Sequence, residues 1–178
     1  MNYAWESLAT GVYRCRLPFL DVTVGLVHGP GRVLLIDCGT TLSEAAHLAA
    51  DVAGLTGAGL TGAGVSDLVL THHHFGHILG SAGFPDARIH AAAPVAAALT
   101  SGVAAVRDHA LRYGADRDEV DRAVAGVRPP DQVTNTARID LGDGIVTVEH
   151  PGRGHTDHDL VVVVPPRSDS DRTVVFCG

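Results

Sequence analysis

The stretch Leu70-Thr-His-His-His-Phe-Gly-His-Ile-Leu-Gly80 decides how the rest of the chain is read. It places four of the eleven histidines within six residues, directly after the apolar run Ser66 to Thr71. In an extended segment successive side chains alternate, so His72 and His74 point one way and His73 the other. His77 follows Gly76 and can reach the same ion as the first two, or one beside it. Neutral imidazole suits zinc, iron, nickel or copper. A closed structural zinc site would bring cysteines, and none lies nearby; three histidines with an open position is the catalytic style of site. A further ligand is then expected from a distant segment. His155 fits, on the Gly-rich loop Pro151-Gly-Arg-Gly-His-Thr-Asp-His-Asp159 between two strands.

The segments around the cluster are short and alternate in type. Gly11 to Phe19, Asp21 to His28 and Arg32 to Cys38 read as strands, the last two separated by the turn Gly29-Pro-Gly31. The apolar run Arg32 to Cys38 carries Asp37 near its end, and a carboxylate there calls for a partner. Helical spacing starts near Ser43, with Thr41 or Ser43 able to cap it. The tandem Leu-Thr-Gly-Ala-Gly from Leu55 to Gly64 is too short for a repeat architecture. Pro94 to Gly126 is Ala-rich and helical, with a break expected near Tyr113 and Gly114. Lying between the two histidine-bearing loops, these helices are placed to cap the site. Gln132 to Leu141, Ile145 to His150, Leu160 to Val164 and Thr173 to Cys177 read as strands. The expectation is one layered α/β (α+β) domain over residues 1–178, with a mixed or mostly antiparallel sheet.

Composition narrows the function classes. A net charge of -7 argues against a nucleic-acid surface and against anionic membranes. No run approaches the ~20 apolar residues of a membrane span. Met1 to Thr10 shows neither a basic start nor a long apolar run, so a cytoplasmic protein is expected. Cys15, Cys38 and Cys177 are odd in number and far apart, which fits buried small side chains better than disulfides.

Thr71-His72-His-His74-Phe-Gly-His77 resembles the Thr-His-x-His-x-Asp-His signature of the metallo-β-lactamase-fold hydrolase superfamily. Leu34-Leu-Ile-Asp-Cys-Gly39 resembles the family's early strand ending in Asp-x-Gly, and His150-Pro-Gly-Arg-Gly-His-Thr156 its Pro-Gly-His-Thr element with two residues inserted. Val174-Val-Phe-Cys-Gly178 resembles the strand that leads to a Gly-Asp pair. The resemblance implies a four-layer αβ/βα sandwich whose C-terminal part lies beyond this chain. It implies one metal on His72, His74 and His155, and a second taking His77 with carboxylates. The ions would be zinc, one or two, with iron as the other option, and the substrate a small molecule.

Two positions depart from the pattern. The signature Asp, which in the family binds the second metal and orients water, is Gly76 here. The chain ends at Gly178, before the family's bridging Asp and last histidine, so a fragment of a longer protein is expected. The resemblance implies hydrolysis of a small ester, thioester, lactone or related substrate through a metal-bound hydroxide. The alternatives are a catalytically impaired or non-catalytic metal-binding relative, and an iron-dependent oxidoreductase. No catalytic base is assigned. Asp157, His158 and Asp159 lie beside His155 and are base candidates by proximity alone, read rather as partners for ligand nitrogens or as solvated groups, Asp37 as a support, and His73, His90, His109 and His150 as surface or packing residues.

Overall fold

The computed structural model describes residues 1–57 and 64–178. Most of the Leu-Thr-Gly-Ala-Gly tandem therefore lies outside the described residues. Its seven-stranded first sheet runs β1 (Glu6–Ala9), β2 (Val12–Arg16), β3 (Thr23–His28), β4 (Val33–Ile36), β5 (Asp67–Leu70), β6 (Arg88–Ala91) and β7 (Gln132–Val133), in that spatial order. Pairing is antiparallel from β1 to β4 and parallel from β4 to β7. Four strands, β8 (Thr136–Asp140), β9 (Ile145–Glu149), β10 (Val161–Val164) and β11 (Val174–Phe176), form an antiparallel second sheet.

The hydrophobic pattern dictates the layers. On β4, Val33 and Leu35 join one core while Leu34 and Ile36 join another. A strand covered on both faces reads as an unbroken apolar run rather than an alternating one. The first core lies under the helices α1 (Leu42–Thr56), α3 (Ala93–Leu99), α4 (Val103–Arg112) and α5 (Arg117–Gly126). The second lies between the sheets, filled by Val12, Val27, Leu34, Ile36 and Val69 against Ile139, Val146, Val148, Val162, Val164 and Phe176. The order is thus helices, sheet, sheet. No helix among the described residues covers the outer face of the second sheet, where Val175 is 52% exposed.

Helix α1 starts where local chemistry says it should. Thr41 accepts from the Glu44 amide, and the Glu44 carboxylate accepts from the Thr41 amide in return, a reciprocal cap. The helical region after Pro94 has two breaks, one at 113–116 as expected and another at 100–102.

Strand β1, half-exposed at the sheet edge, carries no apolar period to read. Two expectations need correcting. The run Gln132 to Leu141 is two strands. Thr134 N donates to Ala91 O in the first sheet, and Asn135 O accepts from His150 N in the second, so the chain changes sheets between them. Cys15 and Cys38 are buried, but Cys177 is exposed, because the strand it follows lies on the uncovered sheet.

Asp51, on α1, is 2% exposed and ties down the N-terminus. It accepts from Asn2 N at 2.6 Å, Tyr3 N at 2.8 Å and Trp5 Nε1 at 3.0 Å. Burial works against its ionised form, but these donors and the terminal ammonium outweigh it and hold the carboxyl below its usual range. A depressed folded value means the unfolded chain binds the proton first as pH falls. The stabilisation is complete above about pH 4 and is lost as pH drops through the folded value. Asp51→Ala should lower unfolding free energy by about 2 kcal/mol at neutral pH, with a shallower loss of stability in acid, read by urea denaturation at a series of pH values.

Candidate metal centre

The histidine cluster starts at the carboxyl end of β5, in the middle of the first sheet. His72 and His73 form a bend, His74 is extended, and α2 (Phe75–Ile78) begins immediately after them. His77 therefore sits within a helical turn rather than on a loop. Gly80, in the following 3-10 turn, packs directly on the segment after β4. A Cβ there would come within 2.0 Å of Cys38 O, so only glycine lets this turn close.

Beneath the cluster lies Asp37, fully buried and at φ 61, a backbone conformation rare outside glycine. Its carboxylate accepts from Thr71 N at 2.9 Å, Thr71 Oγ1 at 2.8 Å and His77 Nδ1 at 2.7 Å. These contacts fix the proton positions. An ionised carboxylate only accepts, so His77 Nδ1 carries a proton and His77 Nε2 has the lone pair when the ring is neutral. The single Thr71 hydroxyl proton goes to Asp37. Thr71 Oγ1 must then accept from His72 Nδ1, 2.9 Å away, which leaves the lone pair on His72 Nε2.

His72 Nε2 faces His74 Nδ1 at 3.1 Å, and His155 Nε2 faces the same His74 atom at 3.1 Å. The ligand atoms of the three residues all lie within 4.8 Å of one another. His74 Nδ1 has at most one proton to share between these two neighbours. A cation at the centre would satisfy all three nitrogens. Burial first, and then the neighbouring imidazoles, push His72 down to about 3 and His74 down to about 4, so both rings are neutral at physiological pH.

His77 is adjacent but separate. Its ring centroid lies 4.1 Å from that of His72, yet it is not one of the three converging residues. Burial disfavours its charged form, but the Asp37 carboxylate outweighs this and raises its pKa. At Gly76 a Cβ would lie 3.0 Å from Val22 Cγ2 and 3.8 Å from Thr40 Oγ1, so a larger side chain there would crowd Val22.

The loop bearing His155 is organised by Asp159. That carboxylate accepts from Thr156 N at 2.8 Å and Thr156 Oγ1 at 2.6 Å. Leu160 N then donates to Thr71 O at 2.9 Å and docks the loop beside the cluster. His158 and His73, which were read only by position, meet at 2.9 Å between Nε2 and Nδ1. Of the helices expected over the site, α4 reaches it: His109 packs on Phe75 at 5.3 Å between ring centroids and lies 6.2 Å from His74. Helix α5 packs instead on α1, on α4 and on the 3-10 turn Leu79–Gly83.

Comparisons with known proteins bear on the family and the fold. The model of the metallo-beta-lactamase superfamily matches residues 17–178. Among solved structures, the metallo-beta-lactamase SMB-1, in complex with mercaptoacetic acid, is 21% identical with a TM-score of 0.70, covering 97% of this chain and 63% of that one. MEM-A1, a subclass B3 metallo-beta-lactamase from a soil metagenome library, is 19% identical with a TM-score of 0.64, over 96% and 60%. A motif mutant of the metallo-beta-lactamase from Cronobacter sakazakii is 19% identical with a TM-score of 0.64, over 97% and 63%. The chain thus spans less than two thirds of these structures. No curated protein matches it. Among the described residues, no helix is long and apolar enough to cross a membrane. With the family model matching nearly the whole sequence and the fold shared with its solved members, the chain belongs to the metallo-beta-lactamase superfamily.

Proposed function

We propose that the chain is a zinc-dependent hydrolase acting on a small ester, thioester or lactone in the cytoplasm, with one zinc held by His72, His74 and His155. The observation that carries this reading is the convergence of one ring nitrogen from each of His72, His74 and His155 within 4.8 Å of one another. A bound zinc supplies Lewis acidity, lowering the pKa of water to about 7 and polarising an oxygen that gains charge. The chain's own residues do the rest. Asp37 and Thr71 hold His72 in the tautomer that presents Nε2. Asp37 turns His77 Nε2 away from the buried carboxylate, available to a second ion or to the substrate. The three unpaired cysteines agree with a reducing compartment. An acidic chain of net charge -7 agrees with a small-molecule substrate rather than nucleic acid or a membrane surface.

Gly76 favours a second reading, a metal-binding relative with weak or no turnover. Glycine contributes no carboxylate beside His77, and a Cβ added there would lie 3.0 Å from Val22 Cγ2. Zinc content with turnover of a thioester or lactone panel supports the hydrolase. Zinc without turnover, and no gain in Gly76→Asp, supports the second reading. Iron in place of zinc would move the assignment towards an oxidoreductase.

Elemental analysis of the purified chain should give about one zinc per chain, lost in the double variant His72→Ala, His74→Ala while the fold persists by circular dichroism. Asp37→Asn provides a finer check. Asn tolerates the left-handed backbone but substitutes a donor for one acceptor oxygen, so Thr71 or His77 loses its partner. Zinc affinity, measured by competition with a chromophoric chelator, should fall by roughly 10- to 100-fold.

A further inference from the structure

Of the four clustered histidines, His73 is the one the metal reading leaves without a role. Its ring lies beside that of His74, with centroids 4.9 Å apart, and meets His158. His158 is 7% exposed, and its Nδ1 lies 2.8 Å from Asp157 Oδ1. A carboxylate can only accept, so His158 Nδ1 donates to it. With the His158 ring neutral, its Nε2 accepts and His73 Nδ1 is the donor across the 2.9 Å contact.

The placement gives this line a purpose. His155 and His158 come from one short loop and meet adjacent residues of the 72–74 segment, His155 at His74 and His158 at His73. The loop is also held by Leu160 N on Thr71 O. Thr71 and His73 flank His72, so the two anchors fix both ends of the ligand segment relative to the loop that brings His155. The third ligand comes from a connection of the second sheet, 81 residues from His74, and its position depends on that docking.

We propose that His73 and His158 form an interloop clasp, a pair of positioning residues that holds His155 in register with His72 and His74. The proposal rests on the metal reading above for its consequence, but the clasp itself exists without an ion.

Two measurements test it on the intact chain. The first is the ring tautomers in the metal-free protein, from long-range nitrogen–proton NMR. His73 should be protonated at Nδ1 in the wild type and lose that preference in His158→Ala. The second is zinc affinity by chelator competition, with the visible spectrum of the cobalt-substituted protein. His158→Ala and His73→Ala should each weaken zinc binding roughly tenfold and alter the cobalt spectrum. The double variant should lose no more than either single one, because the two remove the same contact. His158→Gln, whose carbonyl can still accept from His73, should recover part of the loss. Unchanged affinity in the single variants, or fully additive losses, overturns the clasp. So does a second zinc equivalent in the wild type that disappears in His158→Ala, since the rings would then share an ion rather than a proton. If the wild type binds no metal but shows the His73 tautomer, the metal reading has failed and the clasp stands.

Discussion

A single buried carboxylate sets the proton positions of the centre. Asp37 receives three donors, from Thr71 N, Thr71 Oγ1 and His77 Nδ1, with no solvent access. An ionised group taken out of water is costly unless its oxygens are filled, and here they are. Because a carboxylate can only accept, the order of protons propagates outward. Thr71 donates inward and accepts from His72, and His72 presents its far nitrogen. The left-handed backbone at Asp37, with φ 61, is the strain that this arrangement tolerates. The contact also joins three elements, since Asp37 follows β4, Thr71 follows β5 and His77 lies in α2.

The same logic recurs on the surface side of the segment, with Asp157 as the acceptor end and His73 as the far donor. The two lines differ in burial. Asp37 is sealed, whereas the Asp157 side chain is 80% exposed. Solvent weakens the outer line at its carboxylate end, while the His158–His73 contact itself is part-buried.

Much of this was legible in the sequence, and what was not has physical reasons. Alternation in an extended segment would pair His72 with His74 and send His73 away; the structure brings the first two to 3.1 Å, but through a bend that leaves the His73 ring beside His74 as well. A carboxylate ending an apolar strand demands partners, and Asp37 has three. Thr41 and Glu44 announce the start of α1. The roles of Asp157, His158 and Asp159 could not be told apart, because neighbours on a tight turn face different directions. Asp159 folds its own loop through Thr156, His158 crosses to His73, and Asp157 stays in solvent. The change of sheet near Asn135 was hidden for another reason. The period-two pattern runs on through Gln132 to Leu141, and only hydrogen-bond partners reveal that the strand has changed neighbours.

That change of sheet bears on how the protein assembles. The second sheet is a meander of near neighbours, as the pairing of Asp140 with Ile145 shows, and such hairpins close at small entropic expense. The first sheet depends on parallel pairings such as Leu35 with Leu68, whose partners are far apart in the chain. His72 and His74 follow a strand of the first sheet, and His155 lies on a connection of the second. An ion shared by all three would therefore recognise neither sheet alone but only their union. Its capture would act as a thermodynamic latch on the last long-range step of folding.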